Sequence, residues 1–192
     1  MSIRDQTRRT VRAISSDFKT RSDGGKLRIE GYFAVFNSNY DILDGYSESI
    51  APGAFAESIG RDDIRALVNH DTTLVLGRTT AGTLELREDE HGLWGSILIN
   101  PNDSDAMNAY ARVNRGDVNQ CSFGFVIEDE DVEHSVNGTT HWTIKKVRLL
   151  EVSCCTFPAY TKTSIEARRK DADALKARAE QWKEAMKTRI RR

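Results

Sequence analysis

Between Leu27 and Thr156 the chain repeats one pattern: short runs of alternating apolar and polar residues, broken by turn residues, with little helix between them. Leu27, Ile29, Phe33 and Val35 share one side of a period-two alternation, with Gly31 as a bulge position. "IRALVNHD" reads as a strand ending at His70-Asp71, and "LVLGR" follows as another. Thr83–Arg87 and Leu93–Ile99 make a hairpin pair around Asp89-Glu90-His91-Gly92. "NQCSFGFVI" sets Cys121, Phe123, Phe125 and Ile127 on one side, and Ser122, Gly124 and Val126 on the other. An acidic loop with Asn137-Gly138 as turn signal precedes a β-rich run from Trp142 to Thr156, which Phe157-Pro158 closes. Only "SIAPGAFAESIG", with Pro52 at its start and Gly60 at its end, and "PNDSDAMNAYARVNRG", with Asp103 or Ser104 as cap and Gly116 as stop, read as internal helices. A parallel βαβ fold needs a helix between most strands. The pattern therefore predicts an α+β, mainly β chain: a small, mostly antiparallel β-barrel flanked by short helices.

The 192 residues suffice for one sizeable core with tails. Residues 1–25 are polar and Arg-rich, ending in Asp23-Gly24-Gly25, and a strand within Arg8–Ser15 is weakly marked. Residues 26–161 form the body, and 162–192 change character. There Thr163 and Glu166 make a capping-box pair, and Leu175, Ala179, Trp182, Met186 and Ile190 share one face of an amphipathic C-terminal helix.

Charge follows the same division. Residues 1–28 carry eight Lys/Arg against three Asp/Glu, and 162–192 carry eleven against five. The middle carries nine against twenty-one. An acidic body with basic ends argues against nucleic-acid binding by the body, and the basic N-terminal charges are expected to be solvated. No apolar run approaches the ~18 residues of a membrane helix, and the N-terminus lacks a signal-peptide apolar stretch. Three cysteines, two of them adjacent at Cys154-Cys155, form neither a disulfide framework nor a chelate, and are expected to be buried reduced thiols.

Four histidines could serve a nucleophilic serine. His91 falls in a hairpin turn, while His134 and His141 flank the Asn137-Gly138 loop, so all three read as exposed polar positions. His70 ends an apolar strand. A strand-end histidine is more often structural than catalytic, and Ser122 taken alone is more often a small polar strand residue. Glu151 lies inside the last strand-like run between Leu150 and Val152. A carboxylate there must be paired, hydrogen-bonded or facing solvent. An imidazole N–H is one partner it could accept from.

Five stretches in order, "GYFAVFN" (31–37), "IAPGAF" (50–55), "LVNHD" (67–71), "CSFGF" (121–125) and "LLEVSCCTFPA" (149–159), resemble the prohead maturation proteases of tailed bacteriophages, which are related in fold to the herpesvirus assembly proteases. The resemblance runs from about Ile29 to Tyr160. It implies a Ser-His-Glu triad with Ser122 as nucleophile on an outward-facing wall, His70 as base and Glu151 as its orienting partner. It implies that Gly124 leaves room for a substrate backbone, and that an oxyanion hole is built from backbone N–H groups near Ala159-Tyr160. No cofactor or metal is implied. The expected substrate is scaffold protein or the scaffolding segment of the major capsid protein, and the enzyme itself. The expected setting is the immature capsid in the host cytoplasm, with self-association and no membrane. The rival reading is a catalytically silent scaffold or assembly protein of the same fold. A small-molecule or lipid-binding barrel is weaker, because aromatic and aliphatic side chains fill the interior. Retention of all three of His70, Ser122 and Glu151 favours the enzyme.

Overall fold

A computed structural model describes residues 9–15, 18–135 and 137–157, together with isolated helical positions at 177, 181 and 184. Apart from those three positions, the C-terminal amphipathic helix expected within 162–192 lies outside the described residues, as does the Ala159-Tyr160 loop. The strands are β1 (Thr10–Ser15), β2 (Lys19–Asp23), β3 (Lys26–Val35), β4 (Tyr40–Leu43), β5 (Tyr46–Ile50), β6 (Arg65–Val68), β7 (Asp71–Arg78), β8 (Leu84–Glu88), β9 (Gly92–Ile99), β10 (Gln120–His134) and β11 (Thr140–Cys155). Two helices interrupt them, α1 (Ala56–Arg61) and α2 (Ser104–Arg115). The acidic stretch read as a loop before Asn137 is instead the far half of β10, paired with β11 from Asp129↔Lys146 to His134↔Thr140.

The strands make two sheets rather than a closed barrel. One runs β2-β3-β9-β8 and is antiparallel throughout. The other runs β1-β10-β11-β5-β4, with β6 joined to the end of β11 and β7 to β6. Within it β5 and β6 both run parallel to β11, each against a different half of that long strand. A barrel fails to close because, among the described residues, no ladder joins one sheet to the other. Their inner faces pack instead: Ile29, Phe33 and Ile97 of one sheet meet Phe123, Phe125, Leu149 and Val152 of the other in one cluster. Phe55, just before α1, packs edge-on against Phe123 with ring centroids 5.5 Å apart. Each such buried ring contributes on the order of 1.5–3 kcal/mol, which keeps β10 fixed in register.

α2 begins and ends as its sequence dictates. Asp103 accepts from the Asp105 and Ala106 N–H groups, and Gly116 takes a left-handed φ of 87° past the last turn. α1 is shorter than expected, because Ala51–Phe55 form turns and not the first helical turn.

The N-terminal charges are not all solvated. β1 pairs antiparallel with β10, and its Arg12 is buried.

Candidate active site

β10 and β11 pair so that Ser122 lies opposite Ser153, and Gly124 opposite Glu151. Directly opposed residues share a sheet face, with Cβ atoms about 4.5–5.5 Å apart. Strict alternation from Val147 and Leu149, both in the core, would send Glu151 inward as well. A bulge prevents this: Phe125 pairs with Leu149 while Gly124 pairs with Glu151, so Leu150 is extra. Past it Val152 and Cys154 return to the core cluster, and Glu151, Ser153 and Cys155 turn to the other face.

His70 reaches that face from the β6–β7 connection. Val68 pairs with Asp71, leaving Asn69 and His70 as a two-residue loop with φ of 50° and 63°. Positive φ at both positions is the pattern of a type I′ hairpin turn, whose second position glycine ordinarily fills. A histidine there costs about 1–2 kcal/mol of backbone strain, and three contacts hold it in place. The Asn69 N–H donates to the Cys154 carbonyl (3.0 Å), the His70 N–H donates to Ser153 Oγ (3.2 Å), and His70 Nδ1 donates to Glu151 Oε1 (2.7 Å).

Glu151 is 3% exposed and its carboxylate accepts three hydrogen bonds. Arg9 Nη2 also donates to Oε1 (2.7 Å), and Ser153 Oγ donates to Oε2 (2.7 Å). Burial pushes its carboxyl upward, but the hydrogen bond and charge of His70, followed by Ser153 and Arg9, outweigh burial, and the net lies below the ordinary glutamate value. Ser153 is thus the hinge of the cluster, accepting from the His70 main chain while donating to the carboxylate.

The structure brings His70 and Glu151 together and leaves Ser122 one strand away. Ser122 is fully buried, against the expectation of an outward-facing serine: Ala13 of the neighbouring edge strand β1 lies opposite, and Ser122 Oγ donates to the Arg12 carbonyl (2.7 Å). Among the described residues no hydrogen bond joins Ser122 to His70. The atom facing His70 Nε2 is Cys155 Sγ, 3.9 Å away. Burial, and next the Glu151 charge, push the Cys155 thiol up to about 12, so it stays protonated at neutral pH. Gly124 also has a different use from the one expected. A Cβ there would overlap Glu151 Oε1, so the glycine leaves room for the carboxylate rather than for a substrate.

The other histidines are tied elsewhere. His141 lies on β11 with both ring nitrogens on Ser47 (2.7 Å) and Ser49 (2.8 Å), and is not an exposed loop residue. His134 meets Thr140, and His91 packs edge-on against Tyr32. All three cysteines are buried, and no disulfide joins them. The described residues hold no group of three or more His, Cys, Asp or Glu able to bind a metal ion. Sequence reasoning missed Ser153, Arg9 and the Arg12–Glu48 pair. "EVS" gave a faint signal for the first, since a serine two residues from a buried glutamate shares its face.

A histidine held by a buried carboxylate, with a serine on the same face of a two-sheet β fold, is the outline of a serine-protease site. Residues 16–178 match the sequence profile described as caudovirus prohead serine protease, and the chain belongs to that family. The prohead protease of Enterobacteria phage HK97 is 30% identical over 162 residues, covering 83% of this chain and 68% of the relative. The bacteriophage T4 capsid assembly protease shares the fold, with a TM-score of 0.52 at 10% identity, over 79% of this chain and 98% of that one.

Proposed function

We propose that the protein is a serine endopeptidase of capsid maturation, cutting capsid or scaffold protein inside the prohead, with Ser122 as nucleophile, His70 as general base and Glu151 as its orienting partner. The observation that carries this reading is the 2.7 Å His70–Glu151 contact beside a serine on the same sheet face. With Nδ1–H committed to the carboxylate, Nε2 is the nitrogen left to take the serine proton. The protonated ring would then be stabilised by Glu151 and return its proton to the leaving amine.

For this chemistry β1 must leave β10, since its Arg12 carbonyl holds the Ser122 hydroxyl. Release would free the edge of β10 for an extended substrate. The family match begins at residue 16, so β1 lies outside it. Domain limits of 26–161 for the protease body and 162–192 for a basic tail, cleavage of the enzyme itself, and self-association inside the capsid belong to this proposal.

One observation favours a second reading: Cys155, not Ser122, faces Nε2. A protonated, buried thiol is a weak nucleophile, which ranks it below the serine. Co-expression with the cognate capsid protein separates the two. Ser122→Ala should fold and leave the substrate intact, while Cys155→Ala should still process it. The reverse outcome overturns the serine mechanism, and processing by both variants overturns both.

A further inference from the structure

Arg12 does two things at once. Its carbonyl oxygen is the acceptor that Ser122 Oγ touches, and its side chain runs into the molecule. Arg12 lies opposite Phe123, so both point to the inner face. There the guanidinium, 9% exposed, meets the fully buried carboxylate of Glu48 on β5, Nε to Oε1 at 2.5 Å and Nη2 to Oε2 at 3.0 Å. β1 and β5 are not neighbours in the sheet, since β10 and β11 lie between them, so the pair spans the curl of the sheet. Tyr40, directly opposite Glu48 on β4, adds a buried hydroxyl with no hydrogen bond of normal geometry among the described residues.

We propose that Glu48 is the acidic floor of a specificity pocket that takes a basic side chain, Arg or Lys, from the substrate residue whose carbonyl is presented to Ser122. The inference rests on Ser122 being the nucleophile, and Arg12 is the pocket's occupant in the resting chain. A substrate strand laid on β10 in the place and register of β1 puts one side chain into this pocket and the carbonyl of the same residue at Ser122. The preferred cut therefore follows a basic residue. Glu48 enforces the choice, because a carboxylate taken out of water needs a cation with bidentate geometry or an equivalent. An uncharged side chain would take the bidentate cation away from a fully buried carboxylate. The Tyr40 hydroxyl offers a further acceptor for an ammonium or a bridging water. A plain structural clip between β1 and β5 is the competing explanation, and it predicts no link between Glu48 and the cleaved sequence.

Two measurements on the full chain decide it. In the first, Arg12→Ala empties the pocket, and agmatine, a free alkyl guanidinium, is titrated against the thermal unfolding midpoint. Agmatine should raise the midpoint of Arg12→Ala but not that of Arg12→Ala/Glu48→Gln. Equal response of the two overturns the cation pocket without reference to catalysis. In the second, wild type, Arg12→Ala and Glu48→Gln cut a random peptide library. Wild type and Arg12→Ala should favour Arg or Lys before the cut on the order of 10²–10³-fold over Gln or Met, and Glu48→Gln should shrink this below about tenfold. Cuts without a basic preference, or a preference that survives Glu48→Gln, overturn the pocket and leave the protease standing. Cuts that persist in Ser122→Ala, or no cut by either wild type or Arg12→Ala, overturn the nucleophile reading on which the proposal rests.

Discussion

Replacing Glu151 by Gln tests the centre of the site with almost no change of shape. In the wild type, Oε1 accepts from His70 Nδ1 and Arg9 Nη2, and Oε2 accepts from Ser153 Oγ. A glutamine can keep its carbonyl oxygen toward His70 and turn its amide N–H toward Ser153, whose oxygen can accept. The tautomer of His70 therefore survives, unlike the Asp-to-Asn change in a Ser-His-Asp protease, which costs about 10⁴-fold. In the proposed mechanism, what disappears is the charge facing the imidazolium during the reaction. At the observed 2.7 Å, Coulomb's law gives about 6 kcal/mol for an effective dielectric of about 20 and about 1.5 kcal/mol for that of water. The His70 side chain is 19% exposed and that of Glu151 4%, so an intermediate value of about 3–4 kcal/mol applies, or on the order of 10²–10³-fold in turnover.

The assay is the rate of capsid-protein processing on co-expression, read by gel, with urea unfolding to show that the variant is folded. Turnover within about threefold of wild type would refute the reasoning, since it would mean that no charge develops on His70 against Glu151.

The same substitution carries a pH signature. The folded-state carboxyl of Glu151 titrates below its unfolded value, so its ionised form contributes stability that is complete above the ordinary glutamate range and is lost as pH falls through the depressed folded value. The stability gap between wild type and Glu151→Gln should therefore be widest near neutrality and close below about pH 4. A gap that widens on acidification contradicts the assigned cause.

Ser153→Ala strips a donor from Glu151 and an acceptor from the His70 N–H, and should lower kcat about tenfold with KM little changed; a rise in KM alone would make it a substrate contact. Gly124→Ala should fold yet lose activity as severely as Glu151→Ala, because the new methyl displaces the carboxylate; full activity would refute that overlap. His70→Gly should be inactive but more stable than His70→Ala by about 1 kcal/mol in urea, as the left-handed turn demands, and equal stabilities would argue against strain at this position. His141→Gln should retain most cleavage, since that ring serves Ser47 and Ser49; inactivity equal to His70→Gln would reassign the base.

Strands β3, β6 to β9 and β11, both internal helices and the inward side of β10 could be read from alternation, caps and turn residues, because each rests on contacts local in sequence, whereas β2, β4 and β5, short and rich in polar residues, went unread. Barrel closure could not, since it depends on whether strands distant in the chain share a ladder. The burial of Ser122 was hidden for a similar reason. Alternation says that Ser122 faces away from Phe123, but not that β1, more than a hundred residues earlier, pairs along the edge of β10 and offers its Arg12 carbonyl to the serine hydroxyl. The basic N-terminus read as solvated charge because net charge is blind to a single arginine meeting a buried glutamate 36 residues on.

The site is also where the chain departs from its own local rules, and the departures are linked. A bulge at Leu150 turns an acidic residue out of the core, a histidine takes the glycine position of a tight turn, and a strand glycine gives up a side chain where the carboxylate needs space. Each alone lowers stability by an amount on the order of 1 kcal/mol. Removing any one would spoil the geometry the other two create: without the bulge Glu151 points inward, without the turn His70 does not reach it, and with a Cβ at residue 124 the carboxylate has no room. A fold selected only for stability would have no reason to keep three coupled penalties around one carboxylate. Their convergence on the His70–Glu151 pair is a physical argument for catalysis independent of family membership, and it weighs against the silent-scaffold alternative.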